Sequence, residues 1–177
     1  MRWGGTYENL QSASLRLALI TPLVLILVTT LIHATFHSWK LTAIIFLAIP
    51  VALSGGVYSL ALRGLPFSIS AGVGFIALLG IAVLNSLVWV NAAENLRARN
   101  NDIKMITFET AMTRLRPILM TASVAALGFL PMAISHGDGA EIQRPLATVV
   151  IGGLITSTML TTLILPIIYQ RIGREEK

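Results

Sequence analysis

The chain has 177 residues, 55% of them hydrophobic and 12% charged, with a formal net charge of +5 and no cysteine. The charged fraction is about half that of an average soluble domain, which excludes a water-soluble core, and the lack of cysteine excludes disulfides and thiolate metal centres. Nucleic acid is excluded as a partner of the basic charge, because the Lys and Arg residues lie between apolar stretches and at the tail rather than in one patch.

The length allows one compact domain. Residues 1–14, MRWGGTYENLQSAS, are polar and lack the apolar core of a signal peptide. They read as an interfacial connector in which Tyr7, Leu10 and Ser14 share a helical face. Five apolar stretches follow, near Leu15–Phe36, Leu41–Leu62, Ser68–Ala93, Leu115–Ser135 and Leu146–Gln170. Each meets the roughly 20 residues needed to cross a hydrocarbon core about 30 Å thick. In lipid only a helix satisfies the backbone within one segment. The predicted fold is therefore an all-α membrane protein, a five-helix bundle over residues 15–170 with a tail at 171–177.

Pro22 and Pro50 lie inside spans, where neighbouring helices and local distortion accommodate them. The loop His33–Lys40 is short, so the first two spans are predicted to be antiparallel neighbours, and RGLPF at 63–67 is a turn. The third span carries Gly72, Gly74, Gly80, Asn85 and Asn91. The polar stretch Glu94–Arg116 contains no Gly or Pro. An amphipathic surface segment is predicted at about 94–114, with Ile103, Ile106, Thr110 and Thr113 or Met112 toward the membrane. The fourth span opens at RLRP and is expected to break at Pro131. A Gly-rich loop, SHGDGAEIQRP, follows, and the fifth span is expected to end at Pro166.

Charge orients the bundle. Lys40, Arg97, Arg99, Lys104, Arg114, Arg116, Arg171, Arg174 and Lys177 fall on one side, whereas Arg2, Arg16, Arg63 and Arg144 fall on the other. Basic short loops stay in the cytoplasm, so the C-terminus is predicted inside and the N-terminus outside.

Polar residues at membrane depth are costly and are the first functional candidates. Asn85 can join a proton-conducting network or simply make an interhelical hydrogen bond. Thr121 can serve the same network or bond its own backbone carbonyl four residues back. Arg114 and Arg116 flank the membrane entry and can anchor it by snorkelling. Ala52 with Gly56 is a small-xxx-small spacing for close helix packing. His33 and His37 are four apart, a spacing that can bind metal, but no third ligand lies nearby. Asp138 and Glu141 suit turn or capping roles, with cation attraction as the alternative. No nucleophile, phosphate-loop or zinc signature is present, so no enzyme, resident metal or cofactor is predicted. No span holds Asp, Glu or Lys at its centre.

Three stretches carry a family resemblance: GFIALLGIAVLNSLVWVN at 74–91, RLRPILMTASVAALGFLPMAIS at 114–135 and GDGAEIQRPLATVVIGGLITSTMLTTLILP at 137–166. They resemble the C-terminal membrane half of resistance-nodulation-division efflux pumps, and the last is similar to the heavy-metal branch in particular. YENLQSASLRL at 7–17 is similar to the lead into that branch's eighth span. The resemblance implies a proton-coupled efflux transporter of the bacterial inner membrane. It implies a homotrimer working with a periplasmic adaptor and an outer-membrane channel. This chain then corresponds to spans eight to twelve, with residues 1–14 periplasmic and the N-terminal half as its partner. That orientation equals the one read from charge. Arg114 and Thr121 match proton-relay positions, and Asn85 matches an Asn beside the relay position, which is Leu84 here. Leu84 and Ile118 resemble exporters of divalent cations rather than of copper or silver. The alternative reading is a non-transporting remnant, or a membrane partner of an intact pump.

Overall fold

A computed structural model describes residues 4–98, 102–137 and 139–174. Arg2, Arg99, Asp138 and Lys177 lie outside the described residues, as do the side chains of Tyr7, Leu10, Ser14, Arg16 and Arg174. The described chain is helical: α1 Gly4–Phe36, α2 Trp39–Phe46, α3 Ala48–Leu62, α4 Ile69–Arg97, α5 Ile103–Ile134, α6 Ala140–Met159 and α7 Leu165–Arg174. A π-helical segment, Leu160–Ile164, joins α6 to α7. Five helical stretches are long and apolar enough to span a bilayer: Ala18–Phe36, Trp39–Leu62, Ile69–Arg97, Ile103–Ile134 and Ala140–Arg171. The protein is thus an all-α, multi-pass membrane protein.

Proline sets two of the irregularities. Pro50 has no N–H to give the carbonyl of Phe46, and the second span divides at Leu47 into α2 and α3. Pro166 cannot bond back to Thr162, and the turn before it widens so that the Leu165 N–H reaches the Leu160 carbonyl. The expected ends at Pro131 and Pro166 are not ends, because α5 runs on to Ile134 and α7 to Arg174. The stretch 94–114 is shared between two long helices. Glu94–Arg97 closes α4, and α5 runs from Ile103 past Leu115 without a break. The face expected toward lipid is split: Ile106 and Thr110 are buried, whereas Met112 and Thr113 are exposed as expected, together with Met105 and Phe108. α5 packs against α4 and α7 as well as α6.

The core is the contact of α6 with α3 and α4. Lipid gives helices no hydrophobic reason to associate, so close backbone approach does the work. A methyl group added at Gly152 would lie 2.8 Å from the Gly55 carbonyl oxygen, and one at Gly74 would lie 2.9 Å from that of Leu146. Gly153 likewise receives the Leu78 side chain, and Gly55 receives Thr156. Ala52 is fully buried and Gly56 faces Phe75 and Val149, so the predicted small-residue pair is part of this packing.

α4 meets α6 and then α7 along its length. Gly74 meets Val149, Leu78 meets Gly153, and the Tyr169 hydroxyl donates to Glu94 Oε1 at 2.5 Å, 75 positions apart. Trp89, also buried, sets its ring edge-on to Tyr169 at 5.6 Å. By contrast α1 leans on α2 and α4. It leaves an apolar groove of about 790 Å³ between itself, α3 and α4, lined by Pro22, Leu53, Phe67 and Phe75 among others.

Candidate functional site

Asn85 sits on α4, half-buried, with a side-chain amide that makes no hydrogen bond among the described residues. Leu84 beside it is exposed. On the inner side of the same helix Ser86 and Trp89 are fully buried, and neither the Ser86 hydroxyl nor the Trp89 Nε1–H has a protein partner. On the fifth span the Thr158 hydroxyl at the end of α6 and the Thr162 hydroxyl in the π-helical segment are also buried without a partner. Elsewhere in the spans hydroxyls bond their own helix, as Thr110 does to Ile106 and Thr161 to Ser157. Ser86, Trp89, Thr158 and Thr162 therefore carry buried polar atoms without a partner inside the apolar spans.

Arg114 lies on α5 with its Nε buried and unpartnered. Thr121, two turns further on, is exposed and its hydroxyl donates to the carbonyls of Pro117 at 3.1 Å and Ile118 at 3.0 Å. Ile118, between them, is buried. No hydrogen bond joins Asn85, Arg114 and Thr121 to one another among the described residues. Counting from the α4–α5 turn at 1.5 Å per residue, Asn85 is level with Arg114 and Leu115, and Thr121 stands roughly 9 Å further from that turn. The three thus lie at two depths of the same helix pair.

The histidine pair does not share a helical face. The first span ends at Phe36, and His37 takes a left-handed backbone with φ 51° that closes the helix through its N–H to the His33 carbonyl at 2.8 Å. His33 stacks instead on Trp39, with ring centroids 4.2 Å apart. Among the described residues no group of three or more His, Cys, Asp and Glu side chains could hold a metal ion. Glu141 falls in the first turn of α6, where its charge complements the helix dipole.

Two features escape a reading of the sequence. Ser86 has the same small, polar look as any packing residue, and only burial distinguishes it. Arg63, read as part of a turn, reaches residues 70 and 85 positions away. Its Nη1 donates to Thr148 Oγ1 and its Nη2 to the Ala133 carbonyl, each at 2.7 Å.

A helical bundle of five spans with polar groups between them has the build of a multi-pass membrane protein. The sequence signature of the AcrB/AcrD/AcrF family matches residues 1–173, and the chain belongs to that family. It is 52% identical over its whole length to the cobalt-zinc-cadmium resistance protein CzcA of Cupriavidus metallidurans, covering 17% of that protein. It is 54% identical over 169 residues to the nickel and cobalt resistance protein CnrA of the same species, covering 94% of this chain and 15% of CnrA. The crystal structure of a heavy metal efflux pump superposes with a TM-score of 0.83 at 45% identity, over 97% of this chain and 16% of that one. A second crystal form gives 0.82 at 47% identity, over 96% of this chain and 17% of that one. The chain thus spans about a sixth of the length of the relatives it matches.

Proposed function

We propose that this five-helix bundle is the C-terminal membrane part of a proton-coupled efflux transporter for divalent heavy-metal cations. The observation that carries the reading is identity of about one residue in two, without interruption, to cobalt, zinc, cadmium and nickel resistance proteins. Charge supports an inner-membrane orientation with a periplasmic N-terminus and a cytoplasmic C-terminus. The intact transporter is a homotrimer that meets a periplasmic adaptor and an outer-membrane channel.

In this reading Asn85, Arg114 and Thr121 support a proton relay whose carboxylates lie on the preceding helices of the longer protein. Each can do this chemically. The Asn85 amide is free to donate and accept, and the half-buried Arg114, its Nε unpartnered, can stabilise a carboxylate in its charged form by proximity. The Thr121 hydroxyl, already donating to its own helix, offers lone pairs to an incoming donor.

The test is metal-driven proton flux in proteoliposomes holding the intact transporter. Asn85→Leu and Thr121→Ala, at equal incorporation, are each expected to slow flux roughly tenfold, the scale of one lost polar contact in a reaction path. Wild-type flux in both variants contradicts the relay. An intact transporter that never exchanges metal for protons contradicts the transport reading as a whole.

A further inference from the structure

We infer that Arg63 is a positioning residue that fixes α5 against the α3–α6 pair, an inference that rests on the transport reading above. Three helices meet at its side chain. It extends from the end of α3, donates to Thr148 on α6 and donates to the carbonyl of Ala133 in the last turn of α5.

That last carbonyl is one of the four at a helix end with no partner inside the helix. A guanidinium placed there satisfies it and complements the negative end of the helix dipole. The bond is charge-assisted and, with its companion to Thr148, uses two separate nitrogens of one planar group. Ser59 adds a second tie on the α3–α6 side, its hydroxyl donating to the Thr148 carbonyl at 2.9 Å. Arg63 therefore stands on a braced platform and holds α5 from it.

Apolar packing on α6, α4 and α7 holds α5 in place, but directed polar ties are scarce. From Ile106 to Ile134, among the described residues, the Arg63–Ala133 bond is its one hydrogen bond or ion pair to another helix. Between Thr121 and Ala133 its half-buried residues are Ala122, Ala125, Ala126, Phe129 and Met132, none of which offers a polar side chain, so the polar tie at its end is what fixes this stretch by a directed bond. Thr121 is twelve residues from Ala133, so the tie bears on the depth of Thr121 across roughly 18 Å of continuous helix that includes Pro131.

The experiment uses the intact transporter carrying this region, with Arg63→Gln, Arg63→Lys and Thr148→Val. Spin labels at Leu62→Cys and Ile134→Cys, both exposed positions, report the distance between the outer ends of α3 and α5. Metal-driven proton flux is measured over a series of imposed pH gradients at equal incorporation. Arg63→Gln is expected to broaden the label distance and cut flux about tenfold, moving the gradient for half-maximal flux. Arg63→Lys keeps the charge and restores part of the flux. Thr148→Val produces a smaller change that does not add to Arg63→Gln. An unchanged label distance in Arg63→Gln overturns the inference, and so does unchanged flux. A flux loss that only follows thermal stability, with the gradient dependence unmoved, overturns it too. If the wild-type transporter couples no metal to protons, the transport reading fails separately. The label distance then still decides whether Arg63 positions α5.

Discussion

The fifth span and the fourth are built on opposite plans. In the apolar window of Ala140–Arg171, 56% of residues are buried inside the protein, against 11% in Ile103–Ile134. The fifth span is studded with Gly152, which meets the α3 backbone, Gly153, which receives Leu78 of α4, and the fully buried Ser157 and Thr161. The fourth turns Leu119, Met120, Val124, Leu127 and Leu130 outward and carries Arg114 and Thr121. One helix is the axis of the bundle, and the other is a peripheral strut that bears Arg114 and Thr121, whereas Asn85 lies on α4. Substitutions on the strut can therefore probe the proposed chemistry apart from the packing of the axis.

The largest effects are expected on the axis. Gly152→Val drives a side chain into Ser59 and the Gly55 carbonyl. It is expected to cost about 3 kcal/mol or to prevent assembly, read as lost resistance to denaturing detergent. Trp89→Ala empties a fully buried site against Tyr169 and is expected to cost about 3 kcal/mol by the same measurement. Ser86→Ala has the opposite sign. It removes a buried hydroxyl without a partner and is expected to raise stability by about 1 kcal/mol. His37→Gly relieves a left-handed backbone at a residue with a Cβ and is expected to add about 1 kcal/mol or less, seen as a small rise in thermal midpoint. Thr121→Val, exposed and bonded to its own helix, is expected to leave stability within about 0.5 kcal/mol of wild type.

Much of this was legible in the residues. Hydropathy and length gave all five spans, and the spacing of Ala52 and Gly56 gave a packing face, because both signals are local. The self-bonded state of Thr121 was one of its two sequence readings, since the acceptor lies one turn away. What escaped depends on distance or on orientation. The residues at the start of α5 are amphipathic either way up, and the packing of α5 on α4, α6 and α7 decides which face is inward. The π-helical segment before Pro166 is one of several ways a membrane helix can absorb proline, and the sequence does not choose among them. Arg63 sits in a turn whose partners are on two other helices, so no pattern within the turn reveals its role.

The most direct test of the division between axis and strut pairs two readings on one variant. Thr121→Val in the intact transporter is carried through thermal unfolding and then through metal-driven proton flux. The account predicts an unfolding midpoint equal to wild type and flux lowered about tenfold. Flux equal to wild type, or a loss that appears only together with a lowered midpoint, would contradict it.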